Sequence, residues 1–154
     1  MITRRTFIRT TAAASLMPQT LWANASMTLG TMQIDTLSDG HLTLPPAMTF
    51  GDASDADLAP IIQQFNIDMS APLTPDCNVT LVRDGERTIL FDVGAGPDFM
   101  SSAGKIMDAF DALGVSPDEI THVVFTHAHP DHLCGLLDDF DEPVFTNATY
   151  MIGK

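Results

Sequence analysis

The sequence predicts an α+β fold, and three observations carry the prediction. Two alternating apolar runs flank Asp84-Gly85, the pattern of a β-hairpin. Ala103, Ile106, Met107, Phe110 and Leu113 then recur at i, i+3/i+4 spacing, the pattern of an amphipathic helix. Residues 121–126, THVVFT, follow as a short buried strand. A chain of 154 residues suffices for one modest domain, and a hydrophobic content of 45% is that of a globular chain rather than a disordered one.

Residues 1–25 read as an export leader. Arg4, Arg5 and Arg9 form a basic head, residues 12–22 a mildly apolar middle too short to span a bilayer, and Ala23-Asn24-Ala25 a small-x-small cleavage site. Arg4-Arg5 with Phe7 resembles the twin-arginine class of signals, which implies partnership with the twin-arginine export machinery and a periplasmic or secreted location. The domain then starts at residue 26.

Residues 32–37 and 41–44 are short apolar runs around Ser38-Asp39-Gly40, which predicts a first hairpin. LPPAMTFGDASDAD breaks regular structure. Leu58, Ile61, Ile62 and Phe65 predict a helix, with Pro60 tolerable near its start. After the break APLTPDC, the segment NVTLVRDGERTILFDVG carries the second hairpin, with Asp84-Gly85 at the centre of a type I′ turn. It ends in a Gly-rich corner at residues 91–96.

The amphipathic helix over 103–113 stops at Gly114. Ser116-Pro117-Asp118-Glu119 is a capping box that opens a short helix. Beyond the strand at 121–126, residues 133–137 open a further helix, DDFDEP is a solvated acidic loop, and 144–152 is a last strand.

Twenty acidic against seven basic residues give a net charge of −13, which disfavours nucleic acid and anionic membranes as partners. No apolar run outside the leader reaches transmembrane length. Cys77 and Cys134 are far apart, and spacing leaves open whether they pair; Cys134 reads as a small buried thiol.

The chemistry concentrates in THAHPDHLCG, residues 126–135, where three of the five histidines fall within six residues of one another. Imidazole nitrogen and carboxylate oxygen suit Zn²⁺ and related divalent metals. A turn beyond a strand end can point His127 and His129 toward one ion, while Asp131 and His132 could hold a second. Two such ions can activate a bridging water for attack on an electrophile. His41, beside a turn, and His122, within the strand, read as structural.

THAHPDH, preceded by LFDVGAG and followed by LCG, resembles the HxHxDH motif of the metallo-β-lactamase superfamily. The resemblance covers residues 76–154. It implies the first half of an αββα sandwich, a mixed sheet with flanking helices, over residues 26–154. It further implies that His127 and His129 bind one zinc, that Asp131 and His132 bind a second with Asp131 also catalytic, and that Asp92 supports the histidine loop. Gly94 and Gly135 would permit close backbone approach. The leader and LSDGHLTLP are similar to a secreted subgroup that includes methyl parathion hydrolase and lactonase-like enzymes.

One departure matters. The superfamily draws further histidines and a bridging aspartate from its second half, and this sequence has no histidine beyond His132. The expectation is an incomplete domain, whose remaining ligands lie on a longer chain or on another chain, as in a dimer. The implied function is metal-dependent hydrolysis of a small-molecule ester, lactone or phosphotriester. The alternatives are a non-catalytic remnant and an iron-dependent redox member of the same fold.

Overall fold

The computed structural model describes residues 23–153, so the predicted leader, apart from its last three residues, lies outside them. Alternation of apolar and polar residues builds the strands β1 (Ala23–Leu29), β2 (Met32–His41), β3 (Asp76–Asp84), β4 (Arg87–Phe91), β5 (His122–Phe125) and β6 (Thr149–Ile152). They form one sheet in chain order. The pairs from β1 to β4 are antiparallel, and β4/β5 and β5/β6 are parallel. The helices are α1 (Pro46–Phe50), α2 (Asp55–Phe65), α3 (Ile106–Leu113) and α4 (Pro130–Leu133), with 3₁₀ turns at Pro117–Glu119 and Cys134–Leu136. This is the α+β architecture with a mixed sheet and flanking helices that the sequence predicts.

Leu37, Val79, Leu81, Leu90 and Val123 share one face of the sheet. There they cluster with Ile106, Ala109 and Phe110 of α3 and with Val115, Ile120 and Phe145. Phe110 is fully buried, with its ring centroid 5.8 Å from that of Phe145. Truncation of such a ring to alanine costs about 3–5 kcal/mol, which makes Phe110 the main attachment of α3. The opposite face carries Ile34, Val82, Ile89, Phe91, Val124 and Met151 in register across the strands, and none of them is buried.

At the β1–β3 end of the packed face lies a charged residue, Asp35, 1% exposed. Its carboxylate accepts from Ser26 Oγ at 2.5 Å, Gln33 Nε2 at 3.3 Å and Arg83 at 2.6 Å. Burial pushes the carboxyl pKa up, but the bonds from Ser26, Arg83 and Gln33 outweigh it and hold the value below the ordinary carboxylate range.

The structure corrects several expectations. Ser38-Asp39-Gly40 is not a hairpin turn, because β2 runs through it as one strand with a bulge in its pairing to β3. The first hairpin instead joins β1 to β2. The second turn has Gly85 and Glu86 at its centre, since Asp84 pairs with Arg87. Gly85 has φ +61° and Glu86 has no positive φ, so the turn is not type I′.

Helix α2 starts at Asp55, capped by Ser54, so Pro60 lies in its interior on an exposed face. Helix α3 begins only at Ile106, because Ala103 bridges to Gly40 and Gly104 has φ +72°. The helix expected at 133–137 starts earlier, at Pro130, and gives way to a 3₁₀ turn at Cys134, and β6 is confined to Thr149–Ile152. The capping box at Ser116 is present: Ser116 N–H donates to Glu119 Oε1 at 2.8 Å. Cys77 is buried, Cys134 is exposed rather than buried, and neither is in a disulfide.

Candidate metal centre

The cluster begins where β5 ends, beside the end of β4. Asp92 follows β4 directly with φ +65°, an uncommon conformation that aspartate tolerates better than most residues. Its N–H donates to Val124 O at 3.0 Å, which fixes the corner against β5. The side chain, 5% exposed, turns toward the histidine loop. Oδ1 accepts from Thr126 N at 2.8 Å, and Oδ2 accepts from Thr126 Oγ at 2.7 Å and His132 Nδ1 at 2.8 Å. A carboxylate only accepts, so His132 donates from Nδ1.

Its other ring nitrogen, Nε2, lies 3.3 Å from Asp131 Oδ2. His127 Nε2 lies 3.1 Å from His129 Nδ1, and His127 Nδ1 lies 2.9 Å from Thr126 Oγ. The His127 ring stands 4.6 Å from that of His129 and 4.1 Å from that of His132. His127 and His129 are exposed, whereas Asp131 and His132 are half-buried on α4. Proline at the first helical position, with His129 extended before it, sets the turn that places Asp131 and His132 together.

Among the described residues no three His, Cys, Asp or Glu side chains converge tightly enough to cage an ion as they stand. The donors are grouped as two pairs instead. Zinc bonds of about 2.0–2.2 Å in a tetrahedron put adjacent donors roughly 3.3–3.5 Å apart. The separations of 3.1 and 3.3 Å are close to that edge, and the donor types are those zinc takes, so the residues fit a metal by pairs.

Backbone contacts hold the loops in place. Val93 N–H donates to His132 O, and Gly135 N–H donates to Gly94 O, both at 3.0 Å. A Cβ on Gly135 would lie 2.1 Å from Val93 O, so only glycine allows this approach. Gly94 is constrained by its φ of +78° and by the Asp39 carboxylate, 2.8 Å from where its Cβ would stand.

Asp39 is the residue that sequence reasoning missed. It is fully buried in the β2 bulge and accepts from Ala95 N at 2.7 Å and Ile106 N at 2.9 Å. Burial raises its pKa, against the opposing backbone bonds from Ala95, Ile106, Gly104 and Lys105. Ser38-Asp39-Gly40 carries a local turn signal, which concealed a buried acceptor. His41 ends β2, and His122 is half-buried with Nδ1 at 2.8 Å from Thr121 Oγ; neither belongs to the cluster.

Two adjoining hollows of about 310 and 260 Å³ open near Pro97, Leu137, Asp138 and Asp139, and none of the four clustered residues lines either. The acidic loop is exposed as expected, with Asp138 Oδ1 accepting from Phe140 N and Glu142 N within it.

Residues 74–139 match the family described as the metallo-beta-lactamase superfamily. A Xenopus laevis protein called metallo-beta-lactamase domain-containing protein 1 is 34% identical over 77 residues, which are 49% of this chain and 31% of that protein. Among solved structures, the dizinc quorum-quenching lactonase AidC is 28% identical with a TM-score of 0.73, over 82% of this chain and 43% of that one. The hydrolase AbOPH, described as belonging to the beta lactamase superfamily, is 30% identical with a TM-score of 0.74, over 83% and 43%. The chain thus spans less than half the length of these relatives.

Proposed function

We propose that the chain, whose residues 74–139 match the metallo-beta-lactamase superfamily, supplies the first set of ligands of a metal-dependent hydrolase. His127 Nε2 and His129 Nδ1 would hold one ion, and Asp131 Oδ2 and His132 Nε2 a second. The observation that carries this reading is the pairing of donors at 3.1 and 3.3 Å, with His132 oriented by Asp92.

When bound, two zinc ions supply Lewis acidity and an activated water for cleavage of an ester, lactone or phosphotriester. Asp131 would orient that water as well as bind metal. Asp92 keeps the His132 proton on Nδ1, away from the ligand nitrogen. Each pair furnishes two donors where a catalytic zinc usually has three from protein, so each ion would need a further ligand. AidC, a dizinc lactonase, supports zinc and a lactone-type substrate. The leader at 1–25 supports twin-arginine export to the periplasm or beyond, and that location is part of the proposal.

The test is metal content by mass spectrometry, together with hydrolysis of ester, lactone and phosphotriester substrates. It compares this chain with a form extended at its C-terminus through the downstream reading frame. The extended form is expected to hold about two zinc ions and to turn over one substrate class. An extended form that binds no metal and cleaves nothing overturns the proposal, and iron in place of zinc redirects it to redox chemistry.

A further inference from the structure

The hydrogen bonds at Thr126 specify where its protons lie. Thr126 Oγ carries one hydrogen, and at 2.7 Å from Asp92 Oδ2 it can only donate, because a carboxylate offers no hydrogen in return. With that hydrogen committed, Oγ toward His127 is an acceptor. His127 Nδ1, 2.9 Å away, must therefore be the donor. A neutral imidazole carries one N–H, so Nε2 is left bare and faces His129 Nδ1 at 3.1 Å.

We infer that Thr126 is a positioning residue: its hydroxyl relays the acceptor character of Asp92 to His127 and holds that ring in the Nδ1–H tautomer, with Nε2 free for metal. The inference rests on the metal-binding reading of His127. Asp92 Oδ2 serves both pairs at once. It reaches His132 directly, and it reaches His127 through the threonine hydroxyl. One carboxylate thereby sets the tautomer of one histidine in each donor pair. The relay needs the hydroxyl and not the threonine methyl, so serine can replace it and valine cannot. Thr126→Val keeps the side-chain shape and the backbone N–H to Asp92 Oδ1, which isolates the hydroxyl.

The test reads the side-chain ¹⁵N resonances of the histidines in the full chain without metal. Zinc affinity is then measured by competition with a chelating dye. In the native chain and in Thr126→Ser, His127 is expected to carry its proton on Nδ1. In Thr126→Val the population shifts toward the Nε2–H tautomer and the zinc dissociation constant rises about tenfold, the usual effect of losing a partner behind a ligand. Thr126→Ala, which cannot clash, reads out the same loss if the valine variant folds poorly.

A valine or alanine variant that keeps Nδ1–H on His127, or a serine variant that fails to restore it, overturns the inference. Should the native chain bind no zinc, the metal-binding reading fails, and the tautomer measurement still decides the role of Thr126.

Discussion

Replacement of Asp92 by asparagine changes one atom's chemistry and little else. Asn tolerates positive φ, so the +65° corner is retained, and its carbonyl can still accept from Thr126 N. What changes is Oδ2, which becomes an NH₂ and a donor. His132 Nδ1, 2.8 Å away, then faces a hydrogen and must present its lone pair. The histidine proton moves to Nε2, between the ring and Asp131 Oδ2, on the nitrogen proposed to bind metal. Restoring the binding tautomer forfeits one hydrogen bond to a charged group, about 1.5–3 kcal/mol. That is a weakening of zinc affinity by roughly 10- to 150-fold. Urea unfolding of metal-free Asp92→Asn alongside zinc competition separates this from misfolding, with the fold expected to survive. Zinc affinity equal to that of the native chain in a folded Asp92→Asn would refute the argument that this carboxylate sets the ligand tautomer.

Three further outcomes are expected. With the native fold intact, a thiol reagent at about pH 8 should label Cys134 rapidly and Cys77 only on unfolding. Cys77 is buried, and burial with the nearby Asp39, Asp131 and Asp76 carboxylates pushes its thiol up to about 11. Gly135→Ala should lower stability by about 2 kcal/mol or more in urea titrations, because its Cβ would meet Val93 O at 2.1 Å and backbone must move. Asp35, whose folded pKa is depressed, should contribute stability that is complete above the ordinary carboxylate range and lost as pH falls through the lower folded value. Asp35→Asn should then flatten the acid limb of the stability–pH curve; an unchanged limb would assign acid sensitivity to other groups.

The parts of this fold that could be read from sequence are those whose signals are local. The capping box at Ser116 needs four consecutive residues, and the break at Gly114 needs one, with φ +69° in the structure. The position of the histidine cluster follows from a strand period ending at Phe125. Longer-range decisions were hidden. Whether Ser38-Asp39-Gly40 turns or bulges is settled by pairing with β3, where His41 meets Asp76 and Ser38 meets Asn78. The late start of α3 depends on the Gly40–Ala103 bridge, again across the fold. Thr126 looked like the last residue of a strand, because nothing in THVVFT marks a hydroxyl aimed at a carboxylate 34 positions earlier.

Two buried aspartates share the work of holding the loops around the cluster, and both act at one Gly-rich corner. Asp92 binds the histidine loop through Thr126 and His132. Asp39, in the β2 bulge, binds Ala95 and Ile106, on either side of the loop that leads into α3. The corner between them, residues 92–96, is almost entirely withdrawn from solvent and contains no other side chain able to anchor it. The second anchor therefore comes from β2. Asp39 keeps the inward alternation of Asp35 and Leu37, and beside the one extra residue before His41 its carboxylate reaches backbone N–H groups 56 and 67 positions away. Loss of Asp39 should thus loosen the corner that carries Asp92 without touching any of the proposed metal donors. Its signature differs from that of Asp92→Asn: lower stability first, with ligand tautomers preserved in the molecules that remain folded.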